Sequence, residues 1–145
     1  MQAILLVEDN PGDIVLTQRA LKKANVMNEL VIAPNGEEAL DYLFGTGQYA
    51  ERDIRIMPVI ILLDLKLPGI DGLGVLQHIR DDERTKFLPV IVLTSSIEEE
   101  DVLRSYELGA NSYIRKPVDF SKFVEAMGLV GAYWLLLNEP APKGR

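Results

Sequence analysis

Apolar positions along this chain fall into two textures. Short unbroken runs rich in Val, Ile and Leu occupy residues 3–7, 30–33, 59–63, 90–93 and 112–114. They do not alternate with polar residues, so each predicts a strand buried on both faces, as in a parallel sheet covered by helices. Longer stretches of helical period follow each run, at 11–24, 36–44, 73–80, 98–108 and 119–137. Asn10 suits an N-cap, Pro11 the first helical position, and Asp13 adds negative charge near the positive helix end. The fourth helix opens with Glu98, Glu99 and Glu100 and stops at Gly109. Strand and helix repeat five times, which predicts an α/β domain of (βα)5 type. Its sheet would be doubly wound, parallel and five-stranded, with right-handed crossovers and helices on both faces.

The chain shows no linker, repeat or low-complexity stretch, so residues 1–137 are expected to form one domain. Residues 138–145 carry two prolines and read as a flexible tail, with no output domain. Residues 45–57 form a long connection. Its Gly-Thr-Gly follows a helix rather than a strand, which argues against a phosphate loop. The mixed charges from Arg80 to Lys86 read as a solvated helix end, and His78 as a surface residue.

Composition narrows the function. A length of 145 residues supports one core, and zero Cys removes disulfides, thiolate catalysis and cysteine-ligated zinc. A net charge of −7 disfavours nucleic acid and anionic lipid as partners. No secretory signal opens the chain, and the unbroken apolar runs 59–63 and 129–137 are too short to span a bilayer. A cytoplasmic protein without membrane contact is expected.

In an open parallel sheet, ligands gather at the carboxyl ends of the strands. This sequence places Glu8 and Asp9 after the first strand, Asp64 after the third, Thr94 and Ser95 at the end of the fourth, and Lys116 and Pro117 after the fifth. A strand-end Asp alone is commonly a turn former, and Lys before Pro a solvated charge. Together, groups from four strands converge on one crevice. Clustered carboxylates repel by about 1 kcal/mol per pair at ~4 Å in water and more in a partly dry cleft. A hard divalent cation such as Mg2+ relieves that repulsion and suits carboxylates with phosphate oxygens. With Lys116 and the Thr94 hydroxyl, such a site fits a phosphoryl group, with Asp64 as nucleophile.

Glu8-Asp9, Asp64, Thr94 and Lys116-Pro117, in this order and spacing on a five-fold βα chain, resemble the receiver domain of two-component response regulators. The likeness covers residues 2–137, and Leu65 to Gly72 looks like the family's turn after the phosphorylated strand. It implies the flavodoxin-like strand order 2-1-3-4-5. It implies that Asp64 takes a phosphoryl group from a sensor histidine kinase, and that the chain is a signalling protein rather than an enzyme. Asp9, Asp64 and the backbone carbonyl of Lys66 would bind Mg2+ directly, Glu8 largely through water, with Mn2+ as a substitute. Lys116 and Thr94 would hold the phosphoryl group, Thr94 and Tyr113 would carry the switch, and Pro117 would follow a cis bond. Lys66 and Ser96 would tune how fast the phosphoryl group hydrolyses.

The long connection, the Glu-Asp-Asn-Pro-Gly-Asp start and the Tyr-Trp-Leu-Leu-Leu-Asn-Glu-Pro end are similar to small receivers that partner bacterial phytochromes. The implied kinase is then a bacteriophytochrome. Two alternatives share parts of this site. A haloacid-dehalogenase-type phosphatase needs a second Asp where Lys66 stands, and a flavodoxin-like cofactor binder lacks its Ser/Thr- and Gly-rich phosphate loop. A phosphorelay intermediate is a further form of the same chemistry.

The last helix offers a core stripe of Phe120, Phe123 or Val124, Met127, Val130 or Gly131, and Trp134. From Leu129 to Leu137 no charge interrupts it, so Leu129, Tyr133, Trp134 and Leu136 give an apolar surface. Unless residues 45–57 or the tail cover it, a homodimer through this helix, the fourth helix and the fifth strand (the family's common pairing surface) would bury it.

Overall fold

The computed structural model describes residues 2–116 and 119–142, so Pro117 and its expected cis bond lie outside the described residues. The strands are β1 (Ile4–Val7), β2 (Leu30–Ala33), β3 (Ile60–Leu63), β4 (Val90–Thr94) and β5 (Ser112–Arg115). The helices are α1 (Pro11–Lys23), α2 (Gly36–Phe44), α3 (Gly72–Asp81), α4 (Glu99–Glu107) and α5 (Phe120–Val130), with a 3-10 turn at Gly47–Tyr49. Every pairing is parallel and the strand order is β2-β1-β3-β4-β5, as the resemblance implies. Capping sets the start of α1 at Asn10, as the sequence indicates, and that of α3 at Asp71, which the structure adds. Asn10 Oδ1 accepts from the Asp13 N–H at 3.0 Å, and Asp71 Oδ1 from the Gly74 N–H at 2.8 Å.

The unbroken apolar runs are explained by two cores, one on each face of the sheet. Leu5, Val7, Ile61, Leu63, Val90 and Val92 point to one face, against α2 and α3. Ile4, Leu6, Ile60, Leu62, Ile91 and Leu93 point to the other, against α1 and α5. Both parities are apolar in β1, β3 and β4, so these three strands do not alternate. The edge strands β2 and β5 are only partly buried, and β5 ends on the exposed Arg115, short of the burial on both faces expected for every run. Register levels the strand ends: Val7 pairs with Leu63, Leu63 with Val92, and Thr94 with Arg115. Residues just beyond those pairs emerge side by side.

Two expectations need correction. Arg80 is not part of a solvated run. Its guanidinium reaches the Gly109, Lys86 and Leu88 carbonyls and Asn111 Oδ1 at 2.7–3.0 Å, bolting the end of α3 to the starts of β4 and β5. Thr85 is also buried, its hydroxyl donating to the Ile79 carbonyl at 2.7 Å. The other charged residues of the run stay at the surface, where Arg84 pairs with Asp82, and His78 is exposed. Nor is the last helix regular to its end. After Val130 it continues through wider, π-type turns over Gly131–Leu137, closed by the Asn138 N–H on the Tyr133 carbonyl at 2.7 Å. The widening starts where Gly131 passes Val26 so closely that a β-carbon would lie 2.8 Å from its Cγ2.

The helical stretch Phe120–Leu137, with mean hydropathy 1.3, is long and apolar enough to cross a membrane by length and composition. Counting only unbroken apolar runs overlooks this. Here it is a core helix, with Phe123, Met127 and Val130 buried on the sheet and Trp134 packed beside them. Leu129 and Leu136 are 73% and 81% exposed, so neither residues 45–57 nor the described part of the tail covers that side.

Candidate functional site

The level strand ends bring the expected groups together. Glu8 and Asp64 are buried at 1% and 6% exposure, Thr94 is fully buried, and Asp9 stands exposed at the rim. The Lys116 ammonium bridges Glu8 Oε1, Asp13 Oδ2 at 2.9 Å and Asp64 Oδ2 at 3.3 Å. The Asn10 N–H donates to Glu8 Oε2 at 3.2 Å, and the Lys66 N–H to Asp64 Oδ1 at 3.3 Å. Gly72 is required below Asp64: a β-carbon there would sit 2.2 Å from the Asp64 carbonyl oxygen. The start of α3 therefore packs directly on the backbone that presents Asp64.

Three carboxyls face one ammonium, so the charges do not balance. Burial pushes Glu8 up to about 7, with the Asp64 charge adding and the Lys116 hydrogen bond opposing. Burial also acts upward on Asp64, but the Thr94 hydroxyl, the Lys116 charge and hydrogen bonds from Glu8 and Lys66 outweigh it and hold Asp64 below its usual value. Burial works against the Lys116 charge, yet its carboxylate partners raise it above the ordinary lysine value. A proton retained on Glu8 is the cheapest way to relieve the surplus.

Oxygens of Glu8, Asp9 and Asp64 lie within 4.8 Å of one another. An all-oxygen donor set with excess negative charge fits a hard divalent cation of the Mg2+ or Mn2+ kind. Tyr113 is half-buried on β5 and donates its hydroxyl to the Ser96 carbonyl at 3.1 Å. Thr94 Oγ1 accepts the Ser96 N–H at 3.4 Å, which links the two expected switch residues through one loop.

Two participants escape the sequence reading. Asp13 is accounted for locally as a helix-end charge, and its partner Lys116 is 103 residues away. Asp101 reads as one acid among several at the start of α4, yet it accepts the Ser96 hydroxyl at 2.6 Å and pairs with Lys66. Nothing in local spacing signals either contact. Lys66 places an ammonium where the phosphatase alternative needs a carboxylic acid.

Residues 4–128 match the response regulator receiver domain. Response regulator Rcp1 of Synechocystis is 40% identical over 134 residues, covering 92% of this chain and 89% of that protein. The Mn2+-bound form of Rcp1 superposes with a TM-score of 0.86 at 36% identity, over 98% of this chain and 100% of that one. The phosphorylated cyanobacterial phytochrome response regulator RcpA has TM-score 0.88 and 40% identity, covering 97% and 99% of the two chains. The bacteriophytochrome response regulator AtBRR is 51% identical with TM-score 0.76, covering 96% and 99%. With its strand order, its acidic pocket and these matches over nearly its whole length, the chain belongs to the response regulator receiver domain family.

Proposed function

We propose that this receiver is a phosphorylation switch in which Asp64 accepts a phosphoryl group from a sensor histidine kinase. The observation that carries the reading is a buried lysine held against Asp64 by a surplus of carboxylates. An Asp64 carboxylate oxygen attacks phosphorus in line as the phosphorus–nitrogen bond to the donor histidine breaks, and the electron pair returns to the imidazole. Lys116 and the Thr94 hydroxyl then pair with phosphoryl oxygens. Glu8, Asp9, Asp64 and the Lys66 carbonyl would hold Mg2+, or Mn2+ in its place, which neutralises phosphoryl charge when bound. The only exchange asked of Lys116 is one anionic partner for another.

Signal passes as a population shift: Thr94 drawn toward the phosphoryl group pulls on the loop that Tyr113 also holds. The readout is the α4-β5-α5 surface, through partner binding or a homodimer seated on Leu129, Tyr133, Trp134 and Leu136. Trp134, half-buried and edge-on to Tyr133 at 5.0 Å, serves both core and surface. Strictly monomeric sedimentation, with and without phosphorylation, would discard the homodimer. RcpA and AtBRR are phytochrome response regulators, which supports a phytochrome kinase as donor and a cytoplasmic setting. The primary test is labelling by acetyl phosphate with Mg2+. One hydroxylamine-labile phosphate is expected on the wild type and none on Asp64→Asn, whose amide is a poor nucleophile; equal labelling of both refutes the assignment.

A further inference from the structure

The carboxyl edge of the sheet holds one charged contact that phosphoryl transfer leaves unused. Lys66 sits on the loop after β3, anchored to Asp64 by its backbone N–H, while its ammonium reaches Asp101 Oδ2 at 3.4 Å in the first turn of α4. The same oxygen accepts the Ser96 hydroxyl at 2.6 Å, and the Ser96 carbonyl accepts from Tyr113 on β5. One carboxylate of α4 is thus tied to the loops after β3 and β4, and through Ser96 to β5. The helix has few other moorings there. It has no side-chain N-cap, Ser105 is its one buried residue, and Leu103 and Tyr106 face solvent.

We propose that Asp101 is a positioning residue: it withholds the Lys66 ammonium from Asp64 in the resting protein and yields it to the phosphoryl group. The proposal rests on reading Asp64 as the phosphoacceptor. The Lys66 side chain is 64% exposed and its pairing with Asp101 is weak, which suits a contact made to be exchanged. A phosphoryl group on Asp64 carries more charge than one carboxylate and lies beside the Lys66 backbone. The flexible four-carbon stem lets the ammonium swing from one to the other. Departure of Lys66 leaves Asp101 to Ser96 alone and loosens the first turn of α4. This route runs beside that through Thr94 and needs no movement of the threonine.

The exchange also bears on hydrolysis. In that step a water oxygen bonds to phosphorus as the bond to the Asp64 oxygen breaks, the carboxylate leaves with the electron pair, and the water's proton passes to solvent. Lys66 seated on a phosphoryl oxygen crowds the approach of that water. Asp101, by competing for Lys66, keeps the phosphoryl group short-lived.

The experiment uses the whole chain labelled with acetyl phosphate and Mg2+, then follows decay once the donor is removed. Asp101→Asn should label normally and lengthen the half-life about threefold. Asp101→Glu should restore it, and in a Lys66→Met background Asp101→Asn should change nothing. In NMR spectra of the wild type, phosphorylation should shift the amides of residues 99–102, and Lys66→Met should blunt that shift. An unchanged or shortened half-life for Asp101→Asn, or the same change with Met at position 66, overturns the proposal. Failure of the wild type to label at all would instead refute the Asp64 reading, and this proposal with it.

Discussion

Two largely buried cations sit at opposite ends of the sheet, and their surroundings differ in kind. Among the described residues Arg80 meets only neutral acceptors, three backbone carbonyls and the Asn111 side chain. Burial lowers its pKa, but a guanidinium keeps its proton, and its planar fork satisfies several carbonyls at once. Among the described residues Lys116 meets only carboxyls, and there are three of them. The first arrangement is complete and has nothing left to bind. The second carries uncompensated charge and settles only when a proton, a metal or a phosphoryl group alters the balance. A buried cation among neutral carbonyls fastens a fold; one among surplus carboxylates marks a place for chemistry.

The sharpest test of that contrast removes each cation in turn. Lys116→Met leaves carboxylates buried without a counter-charge, and at about pH 8 in EDTA unfolding should become easier by roughly 4 kcal/mol. Near pH 5, where Glu8 takes a proton, most of that loss should vanish. Arg80→Ala strands carbonyls that no proton can repair, so a loss of about 3 kcal/mol should be the same at both pH values, with Asp64 labelling intact. If the two losses vary with pH alike, the contrast fails. Chemical denaturation curves measure both.

The smallest effect concerns the wild type. The folded-state pKa of Glu8 is raised to about 7 from the 4.5 expected when unfolded, so between these values the folded state holds more protons. Its contribution to stability is fully present below about 4.5 and is lost as pH rises through about 7. Metal-free protein should therefore lose roughly 2 kcal/mol across that window. Saturating Mg2+ should flatten the slope, because the cation takes the place of the proton; a slope indifferent to Mg2+ would separate Glu8 from the metal site.

The sheet was legible in the sequence because burial on both faces writes itself as unbroken runs, of which residues 59–63 are the plainest. Asp64, Glu8 and Lys116 could be found because topology alone sends strand ends to one edge. Side chains that meet across the fold are another matter. Arg80 looked like one more charge in Arg80 to Lys86, since its acceptors are backbone carbonyls, and any residue has those. Asp13 and Asp101 sit at helix starts, where an acid already has a local explanation. A residue with an adequate local reason hides its distant partner.

The wide turns at the end of α5 set the phase of everything after them. At the ordinary pitch, a stripe through Phe123, Met127, Val130 and Trp134 would next bring Leu137 onto the sheet. Each wider turn takes more residues to come round, and Leu135 packs against the core while Leu137 is left 74% exposed. The apolar face that this helix offers to solvent is thus written in its winding as much as in its residues. Deleting a single residue between Gly131 and Leu137 would rotate a different set of side chains outward while leaving the composition almost untouched.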